Sequence, residues 1–205
     1  MTDLTPPTAY AAGGRRYHDA RLRALALTVL ATAVSLLAGC GDNGTVSGPP
    51  PPAPNTMKLT SPAFRNGATL PKEFTCDGKL GGVNPPLAWS RRPRDLKSQA
   101  LIVEDPDAPG GTYVHWTVWR MMVRTTGLQA DIPPIGLPQG KNSAGKTGYA
   151  PPCPPEGDKP HRYQFIIYAL KEPIDARPGA PPEEVISKIE DAALARGVLV
   201  ANYGR

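Results

Sequence analysis

The sequence predicts a mainly β protein, an antiparallel β-sandwich with a peripheral helix near the C-terminus. Three observations lead to this prediction. The 205 residues include 26 prolines, which favour short strands joined by ordered turns over long helices. Residues 113–121 and 161–170 place related side chains two positions apart, which is the period of a strand. Residues 181–197 carry the apolar stripe of a helix, and they do so late in the chain.

Three strands are predicted in the centre of the chain. The first, ALIVED at 100–105, is apolar and ends in an acid. The second strand is YVHWTVWRM at 113–121, where alternation divides the side chains between the two faces of the sheet. One face is expected to carry Val114, Trp116 and Val118, and the other His115, Thr117 and Trp119. In the third, HRYQFIIYAL at 161–170, His161 and Tyr163 share a face and Arg162 points to the opposite one.

The predicted helix runs from Pro181 to Gly197. Proline suits the first turn of a helix, and the two glutamates that follow suit its positive end. Arg196 lies in the expected last turn, and the glycine after it is a common stop signal. The segment VLVANY at 198–203 is then predicted to be a closing strand.

The N-terminus is predicted to be a targeting segment and not part of the fold. Four arginines precede an uncharged apolar stretch at 24–38, which is too short to span a membrane and has the length of a signal-peptide core. The sequence Leu-Ala-Gly-Cys that ends at Cys40 resembles the lipobox of bacterial lipoproteins. Residues 1–39 are therefore expected to be the signal peptide, 40–56 a lipidated cysteine with a proline-rich tether, and 57–205 the folded domain.

Polar side chains occur at the ends of the predicted strands. Asp105 follows the first strand, His115 lies in the second, and His161 and Tyr163 open the third. Two histidines and a tyrosine can donate hydrogen bonds to an anion, and an aspartate can orient one of the imidazoles. We therefore expect these four residues to form a pocket. A single strand histidine would more often be a core residue, and Asp107 is expected to serve only the turn.

Several segments together resemble the phosphatidylethanolamine-binding protein family, in its bacterial branch named after Raf kinase inhibitor-like proteins. They are FTCDG (74–78), NPPLAWS (84–90), DPDAP (105–109), HW (115–116), GYAPPCPP (148–155), HRYQF (161–165) and ANYGR (201–205). The resemblance implies a β-sandwich with a small anion pocket at one end. Carried over to this chain, the pocket residues are those four side chains, with the 149–155 loop, including Tyr149 and Pro152, as a wall. Trp119 and Arg120 depart from the family pattern.

The other two cysteines, Cys76 and Cys153, leave three alternatives open. They form an even pair in a chain expected to be exported, and the resemblance places both near the mouth of the pocket, so a disulfide is one possibility. Two free thiols are the second. A zinc site with His115 and His161 is the third and the least favoured, because no CxxC or HExxH spacing is present.

The sequence favours a binding protein over an enzyme. No nucleophile elbow or glycine-rich phosphate loop is visible, and no cofactor is expected. The three tryptophans, 89, 116 and 119, are expected to pack in the core or at its rim, and no basic run suggests nucleic acid. The predicted ligand is a small phosphorylated or other anionic molecule, bound by a protein held by lipid on the outer side of the cell membrane. The alternatives are an inhibitor of an envelope enzyme and, less favoured, a hydrolase using Asp105 and His115.

A cis peptide bond is predicted at Ala108–Pro109.

Overall fold

The computed structural model describes residues 52–79, 81–131 and 136–205. They form two antiparallel sheets and one α-helix, which confirms the predicted fold class. The strands are β1 (Lys58–Thr60), β2 (Leu87–Ser90), β3 (Ser98–Asp105), β4 (Tyr113–Met121), β5 (Gly127–Leu128), β6 (His161–Leu170) and β7 (Ala193–Tyr203). The helix is α1 (Pro182–Ala192), and a short 3-10 helix covers Lys72–Phe74. The smaller sheet has the order β1-β2-β5 and the larger sheet the order β4-β3-β6-β7.

The larger sheet is covered on both faces. Tyr163, Phe165 and Ile167 of β6 pack in a core cluster that also contains Leu59 and Trp89 of the smaller sheet. The alternate residues of β6 pack in a second cluster against α1, and this cluster includes Ile166, Tyr168 and Leu170. The mostly apolar sequence of β6 follows from this double burial, since a strand with one wet face would alternate with polar residues.

The helix is shorter than predicted. It ends at Ala192, and Ala193 is already extended, with φ −72° and ψ 128°. Residues 193–197 pair with β6 because β6 offers ten residues of hydrogen-bonding edge, and alternate side chains of the segment face the core. Gly197 is therefore a strand residue and not a helix stop. A Cβ there would lie 2.8 Å from the carbonyl oxygen of Met57, where the chain enters β1.

A β-bulge in β4 changes the predicted faces. Val103 of β3 pairs with Trp116, but the next residue, Glu104, pairs with Val114, so His115 is an extra residue in the ladder. Strict alternation placed His115 opposite Trp116. Instead His115 contacts Tyr163, and Trp116 packs in the core cluster that contains Tyr163. Val114 moves to the face that carries α1, where it lines a hollow with Glu104.

The turn after β3 contains no cis bond, and the prediction at Ala108–Pro109 is wrong. The turn is closed by an N–H of Gly111 that donates to the carbonyl of Ala108 at 3.2 Å. Gly110 and Gly111 have φ of 88° and 121°, so the two glycines reverse the chain with trans peptides.

The predicted signal peptide and Cys40 lie outside the described residues, as does the tether up to residue 51. Within the part that the structure covers, no helix has the length and apolar character needed to cross a membrane. The tryptophans at 89, 116 and 119 are all buried, as predicted. Trp119 packs towards α1, and the exposed Arg120 lies 3.5 Å from Asp175. These interactions of the two residues that depart from the family pattern involve none of the four predicted pocket residues.

Candidate functional site

The site is built where four strands of the larger sheet end together. Asp105 is the last residue of β3, and Tyr113, its partner, is the first of β4. His161 is the first residue of β6, and its partner Tyr203 is the last of β7. Antiparallel pairing thus brings residues that are far apart in sequence to one edge of the sheet.

Asp105 and His161 form the centre of the site. An oxygen of Asp105, Oδ2, lies 2.7 Å from Nδ1 of His161, and only 3% and 5% of the two residues is exposed. The other oxygen of Asp105 accepts the backbone N–H of Asp107 at 2.9 Å. The carboxylate therefore fixes the orientation of the His161 ring, as predicted for one imidazole, and leaves Nε2 as the ring nitrogen available to a ligand.

Asp107 has the structural role expected for it. Its carboxylate accepts hydrogen bonds from Nε and Nη2 of Arg162 at 2.8 and 2.6 Å, and from the backbone N–H of the same residue. These hydrogen bonds lower the pKa of Asp107 to about 2. The pair clamps the turn after β3 onto the start of β6, with Arg162 pointing away from His161 as its strand position requires.

His115 differs from His161 in its partner. Its Nδ1 lies 2.7 Å from the carbonyl oxygen of Ala150, which can only accept, so Nδ1 carries the hydrogen. Burial lowers the pKa of His115 and favours the neutral ring. In that form Nε2 accepts a hydrogen bond and does not donate one. Neutral His115 therefore does not match the expectation that both histidines donate to an anion, and for His161 the donor role stays a prediction.

Tyr163 lies between the two imidazoles. Its ring centre is 5.3 Å from that of His115, in an edge arrangement, and 6.4 Å from that of His161, in a stacked one. Burial raises its pKa, and so does the nearby Asp105 carboxylate. Tyr163 thus stays a phenol and can act as a hydrogen-bond donor. The structure brings Asp105, His115, His161 and Tyr163 together as one cluster.

The 149–155 loop contributes backbone more than side chains. The hydroxyl of Tyr149 donates to the carbonyl of Phe74 at 3.1 Å, and its ring packs against Trp116. Burial raises the pKa of Tyr149 as well. The carbonyl of Pro152 accepts the N–H of Cys76 at 3.0 Å. Both residues hold the loop in place, and the hydroxyl of Tyr149 is already used by Phe74.

Cys76 and Cys153 are joined by a disulfide, with their Cα atoms 5.3 Å apart. The bond ties the segment after the 3-10 helix to the 149–155 loop. Sulfurs joined in a disulfide are not thiolates, so these two cysteines cannot be the zinc ligands that the third alternative required. No group of three or more His, Cys, Asp or Glu side chains placed to hold a metal occurs among residues 52–79, 81–131 and 136–205.

Sequence reasoning missed the charged residues around the cluster. Asp158 lies three residues before His161, with Oδ2 3.8 Å from Nε2 of the ring. Arg205 forms ion pairs with Asp77 at 3.3 Å and with Glu156 at 3.2 Å. In the sequence, Asp158 and Arg205 appear only as parts of "GDKPH" and "ANYGR", and the charge of a residue alone does not reveal which ion pair it forms.

A hollow of about 700 Å³ lies on the other face of the larger sheet, against α1. Its wall includes Glu104, Glu190 and Arg196, and none of the four clustered residues. Burial raises the pKa of Glu104, and the neighbouring Glu190 raises it further. The carboxylates in this hollow outnumber its one arginine, so it does not suit an anion. The compact cluster at the strand ends is the better candidate for an anion.

The fold and the cluster define the class of protein: a two-sheet β-protein with a buried histidine–carboxylate site at one end of its larger sheet. The sequence model described as phosphatidylethanolamine-binding protein matches residues 60–204. The chain belongs to the phosphatidylethanolamine-binding protein family, which confirms the resemblance seen in the sequence.

Individual relatives agree with this assignment. A UPF0098 protein of Methanothermobacter thermautotrophicus is 40% identical over 154 residues, covering 73% of this chain and 99% of the relative. A Mycobacterium tuberculosis H37Rv protein named "Putative lipoprotein LppC" is 36% identical over 195 residues, covering 86% and 96%. The crystal structure of Escherichia coli YbcL, described as a member of the mammalian PEBP family, matches with a TM-score of 0.69 at 34% identity, covering 73% of this chain and 99% of that one.

Proposed function

We propose that this protein is a lipid-anchored binding protein whose strand-end cluster takes up a small phosphorylated or other anionic ligand. The observation that carries the proposal is the buried pair of Asp105 and His161, 2.7 Å apart, with Nε2 of His161 not bonded to that carboxylate. Because the carboxylate holds the ring through Nδ1, Nε2 of a protonated His161 ring points away from Asp105 and can donate to an anion. A charge-assisted hydrogen bond of this kind is about twice as strong as a neutral one.

The two histidines together favour an anion that carries a proton. A protonated His161 ring offers a donor at Nε2, whereas neutral His115 offers an acceptor there. Dihydrogen phosphate, or a phosphate monoester that carries one proton, presents both a bare oxygen and an O–H, and can satisfy both rings. Tyr163 between them adds a phenol hydroxyl. A fully deprotonated anion would leave the His115 acceptor unpaired, which is costly in a buried site.

Binding fits the cluster better than turnover. Both oxygens of Asp105 are directed at groups of the protein, one at His161 and the other at the backbone of the turn, so the carboxylate is placed to orient His161 more than to take a proton from a ligand. His115 could take a proton at Nε2. Within the described ranges, its hydrogen-bond and ring-packing partners are the carbonyl of Ala150 and the rings of Tyr113 and Tyr163, so a hydrolase would have to use water as its nucleophile.

The test is calorimetric titration of residues 41–205, which contain both core clusters, with inorganic phosphate and with phosphoethanolamine. We expect saturable binding that His161→Ala lowers at least tenfold, because it removes the charged donor. Glu172→Gln serves as the control, because Glu172 is exposed and lies just beyond the end of β6 that is far from the cluster. If a folded protein gives no heat with either anion, the anion proposal fails and the envelope-enzyme inhibitor becomes the leading alternative.

Membrane attachment is the second part of the proposal. The apolar segment that ends at Cys40 supports it, and so does the lipoprotein name of the Mycobacterium tuberculosis relative. Lipid on Cys40 would hold the domain at the outer side of the cell membrane through the proline-rich segment that follows the cysteine. The domain itself then needs no apolar surface for membrane contact.

A further inference from the structure

We propose that Asp158 is an internal competitor for the anion and so sets the affinity of the site. This inference rests on the proposed function. Oδ2 of Asp158 lies 3.8 Å from Nε2 of His161, on the side of the ring away from Asp105. The carboxylate thus stands next to the one ring nitrogen that a ligand would use, where an anion would have to displace it or bind beside it.

Access to the site passes Asp158. The cluster itself is almost closed, with 5% or less of Asp105, His115, His161 or Tyr163 exposed. The side chain of Asp158, in contrast, is 45% exposed. A ligand that approaches Nε2 of His161 from solvent therefore meets this carboxylate first.

Three other carboxylates near the site each contact an arginine. The pairs are Asp107 with Arg162, Asp77 with Arg205, and Glu156 with Arg205. Asp77 also accepts the hydroxyl hydrogen of Tyr203, the cross-strand partner of His161. Within the described ranges, Asp158 has no ion pair other than the one with His161. Asp158 is therefore the carboxylate at the opening that contacts no arginine in the described ranges.

The backbone holds Asp158 in this position. The N–H of Gly157 donates to the carbonyl of Arg205 at 3.2 Å, and Gly157 has a φ of 84°, which favours glycine. The N–H of Asp158 donates to the carbonyl of Pro155 at 3.4 Å. A turn fixed to the C-terminus thus presents the carboxylate to the ring, and an anion can displace the side chain without unfolding the turn.

The expected effect follows from electrostatics. Two unit charges 4 Å apart in a water-like medium interact by an amount that corresponds to about a fivefold change in affinity. Removing the charge of Asp158 should therefore strengthen the binding of a singly charged anion about fivefold, and that of a doubly charged anion more. The gain should shrink as salt is added, because the opening is exposed to solvent.

The experiment is titration with inorganic phosphate of wild-type residues 41–205, Asp158→Asn and Glu172→Gln, in low and in high salt. Glu172 is a matched control, since it is exposed and lies just beyond the far end of β6. We expect tighter binding for Asp158→Asn, no change for Glu172→Gln, and loss of binding when His161→Ala is added to Asp158→Asn.

The outcomes separate the two proposals. If the wild type binds phosphate and Asp158→Asn binds it equally well or more weakly, the competitor is refuted and the anion site stands. If neither form binds, the anion site and the competitor are both refuted. Binding that appears only in Asp158→Asn, and is lost with His161→Ala, supports both.

Discussion

Replacing Cys76 and Cys153 together by serine should destabilise the domain strongly. The disulfide closes a loop with a sequence separation of 77 residues. In the chain-entropy account, opening a loop of that length gives the unfolded chain freedom equivalent to about 4.5 kcal/mol at 25 °C. A domain of ordinary stability has about 5–15 kcal/mol in total, so the variant should be close to marginal.

The effect should come mainly from the unfolded chain. The N–H of Cys76 donates to the carbonyl of Pro152 at 3.0 Å, and this backbone bond does not depend on the sulfurs. Cys153 is exposed, so a serine hydroxyl there is solvated. The native contacts between the two loops therefore persist in the variant, and the cluster beside them should keep its geometry.

Urea denaturation of residues 41–205 measures the effect. In this part of the chain Cys76 and Cys153 are the two cysteines. The midpoint should fall by about 2 M urea, and the slope m should rise, because an uncrosslinked chain exposes more surface on unfolding. Reduced wild-type protein should match the variant, and reductant should leave the variant unchanged. A loss below about 1 kcal/mol with the same slope would refute the reasoning, because it would mean that the unfolded chain gains little from the open loop.

Two further predictions concern the buried histidine and the anchor. Because burial gives His115 a folded pKa below its ordinary value near 6.5, the unfolded chain takes up more protons as the pH falls, and stability drops below about pH 6.5. Between pH 7.5 and 5.5, His115→Gln should therefore lose less stability in urea denaturation than the wild type, and equal losses would contradict the assignment. In bacterial cells, the full-length chain should enter the detergent phase and incorporate labelled palmitate. Cys40→Ser should do neither, and a variant that still partitions with detergent would exclude this anchor.

The sequence predicted the parts of the site that depend on strand period. His161 and Tyr163 share a face because they are two apart in a regular strand, and the structure keeps that arrangement. Asp105 was placed at a strand end by the apolar run before it, and β3 ends there. Local periodicity sufficed for these residues, since nothing interrupts the ladder between β3 and β6.

The misses arose where distant residues decide the local structure. The bulge at His115 depends on how β4 pairs with β3, which one strand's own sequence does not encode. The early end of α1 depends on the free edge of β6, which extends residues that would otherwise suit a helix. The protonation of His115 depends on the carbonyl of Ala150, which lies 35 positions away in the sequence. In each case a tertiary hydrogen bond outweighs a local preference.

The charge of the cluster limits how tightly it can hold an anion. Even a protonated His161 ring would be offset by the carboxylate of Asp105, so the Asp105–His161 pair offers an anion no net positive charge. A second cation would be needed to hold a buried dianion well. The two arginines near this end, Arg162 and Arg205, already pair with carboxylates and are not free to supply it. The arrangement therefore favours singly charged, protonated anions, whose extra hydrogen the neutral His115 can accept.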